Sequence, residues 1–81
     1  MKLTDCREGQ TVVVKRIEGN GPIRKRLLEM GFTRGTPVKI VKYAPLRDPL
    51  ELVVKQFHVS LRIREACLLH VEATEETQHP I

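Results

Sequence analysis

The sequence contains no tryptophan and only three aromatic residues, one tyrosine and two phenylalanines. Proteins that bind single-stranded nucleic acids usually display aromatic side chains beside a basic groove, and the bases stack on them. The scarcity of aromatic residues therefore disfavours nucleic-acid binding, although the formal net charge is +4 at pH 7. A nucleic-acid-binding domain stays open only as a third alternative to the hypotheses developed below.

Cysteine is also scarce, with Cys6 and Cys67 far apart in the sequence. Such spacing fits neither a disulfide framework nor a paired zinc knuckle. We expect two reduced thiols that are not bonded to each other, at least one of them packed in or near the core.

Long hydrophobic runs are missing as well. No apolar stretch approaches the roughly 18 residues that a membrane span requires, and the N-terminal residues lack the apolar stretch of a secretory signal. These absences predict a cytosolic protein without direct membrane insertion.

Motifs for catalysis are absent from the sequence. It has no glycine-rich phosphate loop of common spacing and no serine in a nucleophile elbow. The carboxylates Asp48 and Glu51 fall in a predicted turn and a predicted strand. We therefore expect no enzymatic activity and no cofactor.

Residues that could bind a metal are scattered along the chain. They are Cys6, His58, Cys67, His70 and His79. No two stand at helical i, i+4 spacing or in a C-x-x-C pair, whereas zinc sites group their ligands. Two interpretations remain: a weak metal site assembled across the fold, or solvated histidines beside packed thiols, which is the one we favour.

What the sequence does contain is a set of short β-branched segments separated by turn residues. They predict five strands at residues 11–17, 38–44, 50–54, 58–61 and 67–72. Ile23, Leu27 and Met30 recur with helical period after Pro22 and before Gly31, which predicts a short helix over residues 22–31. Residues 62–66 could form one helical turn.

So few strands can cover an apolar inner face only by curling around it. The predicted fold is mainly β: a small SH3-like five-stranded antiparallel barrel at residues 1–73, with the helix between strands one and two and a flexible tail at residues 74–81. The alternate and helical positions that should form most of the core are Val12, Val14, Leu27, Val38, Ile40, Leu52, Val59, Leu61 and Val71.

Charge is divided unevenly along the chain. Residues 1–47 hold eleven lysines and arginines against four acidic residues, and residues 48–81 hold three against six. On the predicted helix, Arg24 and Lys25 flank the apolar stripe, and Leu28 lies one turn from Arg24, on the side away from the core. This face is either a protein-docking patch or an ordinary solvated surface, and the sequence supports both about equally.

The order of several motifs resembles the FeoA family of bacterial ferrous-iron transport proteins. The resemblance covers residues 2–72 and rests chiefly on L-x-x-M-G-x-x-x-G at Leu27–Gly35 and on A-P-L-R-D-P at Ala44–Pro49. It implies an SH3-like barrel, no enzyme activity and an accessory role beside FeoB, the membrane ferrous-iron transporter with a cytosolic GTPase domain. The same fold occurs at the C-terminus of iron- and manganese-dependent repressors, so a metal-responsive regulatory module is the alternative.

One residue departs from the family pattern, because Arg47 stands where many relatives have glycine. Arginine with a positive φ would add roughly 1 kcal/mol of strain, so we expect a negative φ here or a slightly altered turn. Together with the helix residues Arg24, Lys25 and Leu28, Arg47 and Asp48 of this turn complete the predicted partner-binding set.

Overall fold

A computed structural model describes residues 1–74 of the chain. Its elements, in chain order, are a 3₁₀ helix at Leu3–Asp5, β1 at Thr11–Ile17, α1 at Pro22–Glu29, β2 at Pro37–Tyr43, β3 at Leu50–Val54, β4 at Phe57–Leu61, α2 at Ile63–Ala66 and β5 at Leu69–Ala73. Strands β1 and β3 have the predicted bounds, and the other predicted strands differ by one or two residues at their ends.

The strands form one antiparallel sheet in the order β4-β3-β2-β1-β5. The first and last strands pair with each other, with Ile17 opposite Leu69. Register shifts between Val14 and Arg16 and between Ile40 and Lys42 mark bulges. Such bulges bend a strand and increase its twist, which lets a small sheet curl around its core. The predicted mainly β fold with one helix between β1 and β2 is confirmed.

The concave face of the sheet carries the hydrophobic core. Eight of the nine predicted core residues are buried: Val12, Val14, Leu27, Val38, Ile40, Leu52, Leu61 and Val71. Val59 was predicted to be buried and is only half-buried, because β4 is an edge strand with a neighbour on one side alone. Leu3 is fully buried although no predicted element contains it.

A Schellman motif ends helix α1 and directs the next residue into the core. The N–H of Gly31 donates to the Leu28 carbonyl at 3.0 Å, and the N–H of Phe32 donates to the Leu27 carbonyl at 3.1 Å. This pattern needs a left-handed residue after the helix, and Gly31 has φ +109°. Phe32, which lies between the predicted helix and the second predicted strand, is consequently fully buried in the same core as Leu27.

The two cysteines are free, as predicted. Cys6 is buried and Cys67 is half-buried, which also agrees with the expectation of one thiol in the core. Thr74, the first residue of the predicted tail, donates from its hydroxyl to the Thr11 carbonyl at 3.4 Å. Residues 75–81, on which the tail prediction otherwise rests, lie outside the described residues.

Candidate functional site

Four of the five predicted partner-binding residues line two separate surfaces. The turn between β2 and β3 contains Arg47 and Asp48, and we call its surroundings the turn surface; it is lined by Thr4, Tyr43, Leu46, Arg47, Asp48 and Ile63. A second concavity, the helix cleft, is lined by Val14, Lys15, Arg16, Ile17, Arg24, Leu28, Phe32 and Arg34. No residue lines both.

Arg47 adopts the left-handed conformation, with φ 66°, so the expected negative φ is wrong. Two contacts favour this conformation. The Arg47 N–H donates to the Ala44 carbonyl at 2.6 Å, and its guanidinium lies 4.2 Å from the centre of the Tyr43 ring. A cation over an aromatic face contributes about 0.5–1 kcal/mol at exposed sites, which offsets much of the backbone strain.

A hydrogen bond to the N-terminal segment fixes the position of Tyr43. Its hydroxyl donates to the Cys6 carbonyl at 2.6 Å, and burial raises the pKa of this phenol. The platform under Arg47 is therefore held by the N-terminal segment of the chain.

Asp48 connects the turn to helix α2. Its carboxylate accepts a hydrogen bond from the Ile63 N–H at 3.1 Å and lies 3.9 Å from the Arg62 guanidinium. The first N–H groups of a helix lack partners within the helix, so this carboxylate satisfies one of them. Asp48 thus performs a structural task that its position in a turn did not reveal.

Glu65 links the two helices. It is buried, accepts a hydrogen bond from the Arg62 N–H at 2.9 Å and forms an ion pair with Arg26 of α1. Buried carboxylates are tolerated when they are paired and hydrogen-bonded, and Glu65 meets both conditions. Arg26, the third basic residue of the helix, is therefore paired within the protein although its own side chain is largely exposed.

The helix cleft differs in that its four cations have no carboxylate partner. Lys15, Arg16, Arg24 and Arg34 are all exposed, and none forms an ion pair with a carboxylate of residues 1–74. The cleft has a volume of about 260 Å³. It therefore combines a small concave surface with four cations that form no close ion pair in the described residues, although the charge of Arg16 helps to lower the pKa of the Glu18 carboxyl.

The structure places the predicted helix residues unequally around this cleft. Arg24 and Leu28 line it, whereas Lys25 is exposed on α1 but does not. Leu28, predicted to point away from the core, is half-buried and packs against it. It contributes the cleft's partly covered apolar surface.

Three cationic lining residues were not among the predicted site residues. Lys15 and Arg16 could be recognised only as a basic pair ending β1, and Arg34 follows the Schellman turn that brings it back to the cleft. The signal for Arg34 was Gly31, two residues beyond the end of α1, since a left-handed glycine at that position reverses the chain direction.

The candidate metal ligands are not assembled into a site within residues 1–74. No group of three histidine, cysteine, aspartate or glutamate side chains there could hold a metal ion. His70 instead contacts Glu18, and this hydrogen bond lowers the pKa of the Glu18 carboxyl. Burial raises the pKa of the Cys6 thiol, which disfavours the thiolate that metals bind. His79 lies outside the described residues.

Within the described chain, none of the helices reaches the length and apolarity that crossing a membrane demands.

Comparison with known proteins provides a family. An Fe(2+) transport protein A/Fe(2+) transporter FeoB fusion protein of Porphyromonas gingivalis is 43% identical over 72 residues, which cover 89% of this chain and 8% of the fusion protein. The chain thus corresponds to a small part of that relative.

Two solved structures show the same fold at substantial identity. Iron(II) transport protein A from Clostridium thermocellum has a TM-score of 0.88 at 37% identity, covering 93% of this chain and 46% of that one. The zinc complex of FeoA from Stenotrophomonas maltophilia has a TM-score of 0.79 at 30% identity, covering 95% and 93%. The latter is described as a prokaryotic SH3 domain protein and suggested to be a ferrous iron transport activating factor.

The SH3-like fold expected from the sequence is therefore confirmed by structures of relatives. The family model for the FeoA domain matches residues 1–73. On this match and on the identity to its relatives, the chain belongs to the FeoA domain family.

Proposed function

We propose that this protein is a non-catalytic, cytosolic accessory component of ferrous iron uptake that binds the cytosolic, GTPase-containing part of a FeoB-like membrane transporter. The observation that carries the proposal is the fusion protein, in which a segment homologous to nearly the whole chain and a ferrous iron transporter share one polypeptide. Covalent linkage raises the effective concentration of two modules for each other, so it is favoured where they act together.

The polar contacts in residues 1–74 support a binding role. Tyr43, Asp48 and Glu65 each use their side chains to join one segment of the fold to another. Their side-chain hydrogen bonds hold the fold together, whereas the cations of the helix cleft form no ion pair with a carboxylate of residues 1–74. We place the docking surface at α1 and this cleft, with Arg24, Lys25 and Leu28 as contacts.

Titration calorimetry tests the proposal directly. Wild-type protein is titrated into the transporter's purified cytosolic domain in its GDP-bound, GTP-bound and nucleotide-free states, with and without Fe(II). The double variant Arg24→Glu/Lys25→Glu should bind at least ~10-fold more weakly, because like charges facing each other at an interface cost several kcal/mol. Its stability should change by only about 0.5 kcal/mol, since both residues are exposed.

A matched control makes the same change in charge elsewhere. Arg7→Glu/Lys39→Glu reverses two exposed cations outside the helix cleft, and it should retain most of the affinity. Absence of binding by the wild type in every nucleotide and iron condition would contradict the proposed function. If the helix variant binds like wild type, the docking surface moves to the turn at residues 44–50.

A further inference from the structure

We propose that the helix cleft binds an extended acidic peptide segment, which adds alongside the end of β1 and places one apolar side chain against Leu28. This inference deepens the proposed function by giving the chemistry of the bound segment, and it rests on that function only for the identity of the protein that carries the segment.

The end of β1 has an open strand edge. Strand β2 pairs with β1 only at Thr11–Val13. Next to this pairing, the Gly35 N–H donates to the Val14 carbonyl at 2.8 Å, and the Val14 N–H donates to the Thr36 carbonyl at 3.0 Å. Beyond Val14, Arg16 and Ile17 pair with β5, and Lys15 lies in the bulge between the paired residues. Within the described chain, no strand lies along the other side of residues 15–17. An edge of this kind accepts an additional strand through main-chain hydrogen bonds.

Cations surround that edge. Lys15 and Arg16 lie on the strand, Arg24 faces them from the helix and Arg34 borders the same cleft. Strand and helix therefore carry cations on both sides of a single concavity. A segment with acidic side chains on both of its faces would be complementary to it, and such complementarity favours specificity and fast association.

The helix cleft is small and partly apolar. A volume of about 260 Å³ is smaller than the ~300–1,000 Å³ typical of small-molecule sites. Leu28 is half-buried, so part of its apolar side chain remains accessible, whereas Ile17 in the same lining is buried. The cleft therefore suits one apolar side chain of a peptide better than a cofactor.

Nucleic acid fits this cleft less well than peptide does. The aromatic residue that lines it, Phe32, is fully buried and offers no face on which a base could stack. Single-strand binders depend on such stacking in addition to charge. The charges and the apolar lining of the cleft together therefore favour a protein segment as its occupant.

The experiment is an NMR titration of ¹⁵N-labelled full-length protein with a capped octapeptide of glutamates flanking one central leucine. Saturable shifts are expected at the backbone amides of residues 15–17 and of Arg24, Leu28 and Arg34, with an affinity that falls as salt rises. The same peptide with lysines in place of the glutamates should not bind. The peptide with alanine in place of leucine should bind ~3-fold to 10-fold more weakly, through loss of one apolar contact.

Neighbouring residues of one helix supply the matched variants. Arg24→Glu should weaken binding of the acidic peptide at least ~10-fold, and Lys25→Glu by less than ~3-fold, because only Arg24 lines the cleft. Arg24→Glu should fold normally, since an acidic residue in the first turn of a helix is favourable.

Three results would overturn the proposal: no saturable shifts at millimolar peptide, shifts centred on the turn surface, or equal losses in the two variants. Equal competition by single-stranded DNA, inorganic polyphosphate or anionic lipid vesicles would also overturn it, because it would indicate a general polyanion surface. Peptide binding without binding to the transporter's cytosolic domain would refute the proposed function and leave the acidic segment to another protein. Transporter binding without peptide binding would refute the proposed acidic segment and leave the proposed function standing.

Discussion

The turn surface and the helix cleft both carry predicted partner-binding residues, and they treat their charges in opposite ways. On the turn surface, Arg47 lies over Tyr43, and Asp48 accepts a hydrogen bond from α2 and lies near Arg62. In the helix cleft, Arg16, Arg24 and Arg34 form no ion pair with a carboxylate of residues 1–74. Polar residues of similar type therefore serve folding in one region and remain available for binding in the other.

The apolar residues reverse this contrast. Leu46, at the turn surface, is 90% exposed, whereas Leu28 in the helix cleft is half-buried and packed against the core. An exposed leucine on a fixed turn is a second candidate for contact with another protein, since apolar anchors dominate many interfaces. Variants that separate stability from binding can establish which region docks.

The largest effect is expected where the helix cleft is anchored to the core. Leu27 is fully buried, so Leu27→Ala should lower the free energy of unfolding by about 2–5 kcal/mol. In a domain this small that loss could unfold much of the population. Urea denaturation followed by circular dichroism measures it.

Leu28→Ala is the matched variant on the same helix. Its side chain is only half-buried, so it should cost clearly less stability while still weakening partner binding. A loss below about 0.5 kcal/mol for Leu27→Ala would show that the inner face of the helix is misassigned, and with it the division between core and cleft.

The next largest effect is expected at Glu65, which joins α2 to α1 through its ion pair with Arg26. Glu65→Ala leaves the Arg62 N–H without its acceptor and removes the partner of Arg26. Because Glu65 is buried, we expect a loss of about 1–3 kcal/mol. Glu65→Gln keeps an acceptor for Arg62 and should lose less. Arg26→Ala should also lose less, because the Arg26 side chain is 57% exposed. Equal losses in all three would mean that the ion pair, and not the hydrogen bond, stabilises this junction.

A smaller effect is expected for Asp48, and it tests the contrast itself. Asp48→Ala removes the acceptor for the Ile63 N–H, which should cost about 1 kcal/mol, as the loss of a helix cap does. Asp48→Asn retains an acceptor and should recover most of the loss. If the turn surface is structural, neither variant changes affinity for the transporter's cytosolic domain. A large fall in affinity for Asp48→Asn at unchanged stability would make this surface part of the interface.

Most of the fold could be predicted because its patterns are local. The β-branched run of β1 and the alternation of β3 identify strands without reference to their neighbours. Pro22 and Gly31 mark the two ends of the helical region for reasons of backbone geometry alone. Leu3 and Phe32 were missed as core residues because they lie outside regular strands and helices, so their burial depends on tertiary packing.

The candidate site was less predictable because the role of each of its side chains depends on residues that are distant in the sequence. Sequence spacing placed Arg24 and Lys25 together, yet only Arg24 lines the cleft. Asp48 and Ile63 are 15 positions apart, and their hydrogen bond exists only after the sheet brings the turn to α2. Whether a charge is paired is a property of tertiary structure, and no local pattern reports it.

The smallest effect is expected at Arg47, where two opposing terms nearly cancel. Arg47→Gly relieves the left-handed strain of roughly 1 kcal/mol at φ 66° and loses the contact with Tyr43, which contributes about 0.5–1 kcal/mol. Its unfolding free energy should therefore stay within about 0.5 kcal/mol of wild type. Arg47→Ala keeps the strain and loses the contact, so it should be about 1 kcal/mol less stable than the glycine variant. Urea denaturation of the three proteins, with Arg7→Ala as an exposed control outside the turn, measures the difference. If the alanine variant equals or exceeds the glycine variant in stability, the left-handed backbone at position 47 is not strained. Arg47 would then no longer show that a cation of the turn surface stabilises the fold.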